Sequence, residues 1–199
     1  MSKARSSLTA TVAALFFVGC ASTADPIEGY EQVQPASPSH PTGLANGYPA
    51  GQVERGLYLA DLLGCGSCHT DGALAGNPVA ERSLAGSRTG IAISSPMQRR
   101  YPGVLYPSNL TPDSETGIGN WSLEEIVTYL QSGEDHRGDQ SLPVMPWPNY
   151  SRLTQDDATA IAMYLMSLAP VKHTVPSNVR PGTPAEAPFV HFGVYRSLK

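Results

Sequence analysis

Basic residues are in short supply: Lys and Arg number 13 against 17 Asp and Glu in a chain of 199 residues, a formal charge of −4. A net-acidic chain is poorly matched to nucleic acid or anionic lipid, and better matched to a basic patch on another protein. Cysteine is scarcer still, with three in all. No segment repeats, which leaves out stacked-repeat architectures. The length gives room for one compact domain and some unstructured flank, but not comfortably for two cores. What the chain does have is 19 Gly and 18 Pro. That abundance argues against a long helical bundle or a regular sheet and for a loop-heavy fold.

The N-terminus reads as an export signal rather than as part of the fold. Lys3 and Arg5 precede an apolar run of eleven residues, Leu8 to Val18, too short to span a bilayer. It ends in Phe17-Val18-Gly19-Cys20, which resembles the lipobox of bacterial lipoprotein signals. That resemblance implies cleavage after residue 19 and lipidation of Cys20. Ala21 after it implies, in a Gram-negative host, sorting to the outer membrane. Phe17 departs from the usual Leu of that motif, and an ordinary cleaved signal is the alternative. Loss of residues 1–19 removes Lys3 and Arg5 and no acid, so the mature chain is more acidic.

Residues 20–51 are polar and rich in proline (Pro26, Pro35, Pro38, Pro41, Pro49), the composition of a flexible tether. About thirty residues of such coil reach roughly 30 Å. A folded domain is expected over 52–171, with 172–199 as a tail to which no structure is assigned. Three helices are predicted in it. The first runs from about Val53 to Leu63, with Leu57, Ala60 and Leu63 on its apolar face, and stops at Gly64. The second follows Ser122, whose partner Glu125 completes a capping box. The third spans about Gln155 to Leu168, with Ile161, Leu165 and Leu168 on one face and Pro170 as a stop. The loop-like segments 70–120 and 132–153 are too long for a domain that must build its own core. They fit one whose core is a large rigid apolar ligand.

That ligand is indicated by Cys65-Gly66-Ser67-Cys68-His69. Two thiols at this spacing reach two vinyl groups on one porphyrin edge, and the adjacent imidazole is then placed on the iron. The pattern therefore predicts one covalent haem c. A thioredoxin-type pair needs a strand–helix setting that is absent. A zinc site needs further paired ligands, and His40, His136, His173 and His191 are scattered singly. A disulfide between Cys65 and Cys68 leaves His69 unexplained. With Cys20 lipidated and two thiols on haem, no cysteine remains.

A sixth ligand is expected downstream. Met145 stands in Leu142-Pro143-Val144-Met145-Pro146-Trp147-Pro148, where the flanking prolines stiffen a loop just before the last helix. Met163 and Met166 lie within that helix as core residues, Met97 sits beside the solvated Gln98-Arg99-Arg100, and His136 is placed on a polar surface stretch. A thioether ligand raises the reduction potential relative to two imidazoles.

With these residues in view, the sequence resembles the class I cytochrome c fold: all-α, a few short helices and long loops wrapped around one haem. More specifically it resembles the cytochrome c domains of bacterial periplasmic alcohol, aldehyde and sugar-acid dehydrogenases. The likeness rests on Arg55 to Ala60, on Asn109-Leu110-Thr111-Pro112-Asp113 with Thr116-Gly117-Ile118-Gly119 and Trp121-Ser122, on Met145-Pro146, and on Ala162 to Leu165. In that fold the first and last helices cross, and Gly56 and Tyr164 are either their contact points or ordinary helix-packing residues. Trp121 and Tyr106 belong either to the haem edge or to the core, and Arg99 and Arg100 either to haem propionates or to a solvated loop. The family's dehydrogenase subunits usually carry three haem motifs and this chain carries one. Its stretch Ser87 to Arg100 also differs from the family's usual short connection.

The expected function is single-electron transfer on the periplasmic side of a bacterial membrane, with no catalysis by the chain itself. The partners would be a dehydrogenase or quinol-oxidising complex on one side and an oxidase or reductase on the other. A fixed subunit of one dehydrogenase complex is the alternative to a free carrier. A haem peroxidase or reductase would need an open iron position or a second haem motif, and a sensor would need a signalling domain.

Overall fold

The computed structural model describes residues 41, 47–93, 103–134 and 144–192. The signal segment, Cys20, His40, most of the tether, Met97, Arg99, Arg100 and His136 lie outside the described residues. Among the described residues there are five α-helices: α1 (Ala50–Leu62), α2 (Cys65–His69), α3 (Leu123–Ser132), α4 (Trp147–Tyr150) and α5 (Gln155–Met166). Three strands accompany them: β1 (Gly90–Ile93), β2 (Gly103–Leu105) and β3 (Phe189–Phe192). No helix among the described residues is long and apolar enough to cross a membrane.

The helices begin and end where local chemistry dictates. At the start of α3 the Ser122 hydroxyl accepts from the Glu125 amide at 3.2 Å, and the Glu125 carboxylate accepts from the Ser122 amide at 2.7 Å. The left-handed Gly133 (φ 71°) closes that helix. At α5 the Thr154 hydroxyl accepts from the Asp157 amide at 3.1 Å.

α1 and α5 cross as their small residues allow. α1 buries Val53, Gly56, Leu59 and Ala60, and α5 buries Ala158, Ala160, Ile161, Ala162, Tyr164 and Leu165. A methyl group on Gly56 would collide with the Ala160 carbonyl and with Cβ of Tyr164. The anticipated meeting of Gly56 and Tyr164 is therefore the helix crossing itself. Tyr164 is fully buried, yet its hydroxyl donates to the Pro41 carbonyl at 2.9 Å, so its polar end is satisfied. α3 packs on the same helix through Ile126, Val127 and Leu130.

The all-helical expectation holds for this core but not for the whole. β1 pairs antiparallel with β2 and parallel with β3, in the order β2-β1-β3. The sheet has a small apolar centre of its own, made of Ala92, Val104 and Tyr106, with Val179, Ala185 and Ala187 against it. Strands of three or four residues show no usable alternation, and the pairing of Gly90 with Phe189 joins segments far apart in the chain. Residues 172–192, for which no structure was expected, run back along the domain to supply that third strand.

Candidate functional site: an apolar cavity with thiol, imidazole and thioether groups

The site starts at a backbone reversal. Gly64 takes a left-handed conformation (φ 70°, ψ 30°), ending α1 and letting α2 begin at once with Cys65. One helical turn then carries Cys65, Cys68 and His69 to the wall of a cavity of about 380 Å³. Cavities of ~300–1,000 Å³ are the usual size class for small-molecule and cofactor sites. Both thiols are unpaired and half-buried, and burial pushes the Cys65 thiol up to about 11 and raises that of Cys68. Neutral thiols beside an apolar space are the expected state when no cation stands next to them.

His69 is buried, and its ring orientation is fixed. Nδ1–H donates to the Ser108 carbonyl at 2.7 Å, which assigns the proton to that nitrogen and leaves the Nε2 lone pair free. Burial holds its pKa below the ordinary histidine value, with the hydrogen bond to Ser108 acting against that shift. A neutral imidazole anchored through one nitrogen is the arrangement found in metal-ligating histidines. The His69 carbonyl in turn accepts from the Gly86 amide at 2.8 Å, so backbone and side chain are both tied down.

Met145 reaches the same cavity from the segment before α4. The remaining wall is largely apolar and comes from α3, α5 and the loop between β2 and α3: Ile118, Trp121, Ile126, Leu130, Ile161 and Leu165. Trp121 and Tyr106 both line it. The Tyr106 hydroxyl donates to the Ala187 carbonyl at 2.9 Å, so its polar end serves the tail. Trp147 donates from Nε1 to the Tyr129 carbonyl at 3.2 Å, and Tyr129 stands edge-to-face with both Trp121 and Trp147.

The structure thus gathers Cys65, Cys68, His69 and Met145 around one space. Met163 and Met166, on α5, do not line it, and His173 and His191 lie elsewhere. Among the described residues no group of three or more His, Cys, Asp or Glu side chains is arranged to hold a metal ion. The donors suit a group that is gripped at its edge by thiols and at its centre by imidazole and thioether, inside an apolar slot. Several contributors were not foreseen, and two of them are informative. The Ser108 carbonyl is a backbone atom with no signature in the residue type. Asn178, which also lines the cavity, comes from the tail.

No protein-family model matches the chain. It is 37% identical over 147 residues to the fructose dehydrogenase cytochrome subunit of Gluconobacter japonicus, a match covering 73% of this chain and 27% of that protein. It is 39% identical over 114 residues to the alcohol dehydrogenase (quinone) cytochrome c subunit of Gluconobacter oxydans, covering 57% and 21%. It is 33% identical over 120 residues to the gluconate 2-dehydrogenase cytochrome c subunit of Pantoea cypripedii, covering 60% and 24%. The matches span about a quarter of the length of these relatives. Over the matched stretch the chain is homologous to, and resembles, the cytochrome c subunits of bacterial fructose, alcohol and gluconate dehydrogenases.

Proposed function

We propose that the chain is a c-type cytochrome with one haem, bonded through Cys65 and Cys68 and ligated by His69 and Met145, that carries single electrons. The observation that carries this reading is the convergence of those four side chains on one apolar cavity, with the His69 proton held on Nδ1 by Ser108. The haem supplies the one-electron chemistry when bound. The chain's own part is to anchor its edge, to present a neutral imidazole and a soft thioether, and to keep water out with Ile118, Ile126, Ile161 and Leu165. Thioether ligation favours a raised potential, which suits a carrier.

The electron donor in this reading is a dehydrogenase, supported by the relatives' being cytochrome subunits of such enzymes. The lipobox-like segment and the proline-rich stretch before residue 51 support a domain held on a lipid anchor at the periplasmic face of a membrane.

Mass spectrometry of the mature protein reads the haem adduct and the Cys20 lipid in one measurement. A colourless product with both thiols of the Cys65–Cys68 pair free or zinc-bound sinks the proposal. Met145→Ala should then leave haem attached and abolish the sulfur–iron charge-transfer band. An unchanged band reassigns the sixth ligand.

A further inference from the structure

The hydrogen bond that orients His69 does not stand alone. The Ser108–Asn109 peptide carrying its acceptor is clamped from three sides. Asn109 is fully buried, and its side-chain oxygen accepts from the Thr111 amide at 2.9 Å and the Thr111 hydroxyl at 2.8 Å. Its side-chain nitrogen donates to the Thr116 hydroxyl at 3.0 Å and to the Val171 carbonyl at 2.8 Å, so all of its hydrogen-bonding capacity is spent on position. On the opposite side Gly86 presses on this peptide. A methyl there would meet the Asn109 amide nitrogen at 2.8 Å, the Ser108 carbonyl carbon at 2.9 Å and Val175 at 2.6 Å. Gly86 is also the residue whose amide donates to the His69 carbonyl, which closes a ring: His69 to Ser108, Ser108 against Gly86, and Gly86 back to His69.

Both halves of that ring are fastened to the segment that follows α5. Val171 accepts from Asn109, Nδ1–H of His173 donates to the Ala85 carbonyl at 2.9 Å, and Val175 lies over Gly86. The His173 amide also donates to the Thr116 hydroxyl at 3.1 Å.

The geometry points to Asn109, together with the segment Val171–Val175, as a positioning device for His69. It holds the Ser108 carbonyl at a hydrogen-bonding distance that strengthens the imidazole as a donor and so sets the potential of the bound haem. The inference rests on the proposed haem ligation. An imidazole whose Nδ1–H is well bonded is the more basic ligand and favours the oxidised metal. Slackening the carbonyl therefore moves the potential upward.

The test uses the full, haem-loaded chain and three variants. Asn109→Ala should raise the reduction potential and speed the exchange of the His69 Nδ1 proton, seen by NMR. A tenfold change in redox preference corresponds to ~59 mV for one electron. Ser122→Ala removes the α3 cap without touching the ring, so it should lower stability and leave the potential in place. An unmoved potential in Asn109→Ala, or an equal shift in Ser122→Ala, overturns the inference. If Asn109→Ala does not accumulate as folded protein, the other anchor decides. His173→Ala should raise the potential and His173→Gln, which keeps a donor for Ala85, should restore it; identical potentials in both overturn it. A parent protein without covalent haem defeats the ligation proposal instead. The Nδ1 exchange comparison in that protein then tests the positioning device by itself.

Discussion

Gly56 on α1 sits so close to Ala160 on α5 that not even a methyl group fits between the helix backbones. Overpacking at such a crossing costs about 1–3 kcal/mol, more than the ~1 kcal/mol that Ala gains over Gly in helix propensity. Gly56→Ala should therefore destabilise the domain, seen as a lower denaturation midpoint. A midpoint equal to or above the parent's means the helices do not cross at this distance.

At Gly64 the difficulty is conformational. A methyl there meets only the Ser67 hydroxyl, at 3.5 Å, so space is available, but the backbone is left-handed at φ 70°. Placing an L-residue in that region costs about 1–2 kcal/mol. Gly64→Ala should lose stability of that order, while Gly64→Asn, which tolerates the region better, should lose less. Chemical denaturation of both variants checks the ranking, and the reverse order contradicts it.

Loss of the α3 capping box has its own signature. Ser122→Ala leaves the Glu125 amide without its acceptor, and such caps contribute about 0.5–2 kcal/mol. The expected result is that loss in the unfolding free energy. No change would mean that water replaces the hydroxyl without penalty.

Part of the acid sensitivity should trace to Asp113. Its carboxylate accepts from the Thr116 hydroxyl and amide, each at 2.7 Å, and from the Glu115 amide at 3.2 Å. The hydrogen bond from the Thr116 hydroxyl is the largest of the effects holding its pKa below the usual carboxylate value. Because the folded-state pKa is the lower one, the contribution to stability is present above the unfolded pKa and is lost as pH falls through the folded pKa. Asp113→Asn should flatten the acid limb of a stability–pH curve. An acid limb of unchanged steepness places the sensitivity elsewhere.

Helix positions were legible because their signals are local. Ser122 with Glu125, Thr154 before α5, and Gly64 after α1 each announce an end through chemistry within one turn. The motif Cys65 to His69 and the proline-flanked Met145 likewise carry their chemistry in their own letters, and the fold brings them to one cavity. The helix crossing was anticipated through the family resemblance, which implied it, with Gly56 and Tyr164 as candidate contact points. The sheet could not, since β1, β2 and β3 are too short for periodicity and gain their stability from pairing across the chain. The tail escaped for the same reason. Val171, His173 and Asn178 work through a carbonyl, a ring nitrogen and a side-chain amide whose partners, Asn109, Ala85 and Tyr106, are distant in sequence.

The bonds from Asn109 to Val171 and from His173 to Ala85 span 62 and 88 residues. A polypeptide delivered from its N-terminus exposes the Cys65–His69 turn well before either partner has been synthesised. Contacts of such long range also form late once the chain is complete. The order of manufacture therefore leaves an interval in which the Cys65–His69 turn exists without the contacts that hold Asn109 and Ala85 in place. A stop codon just before Val171 would not simply shorten the protein; it would leave Asn109 and Ala85 permanently without those partners.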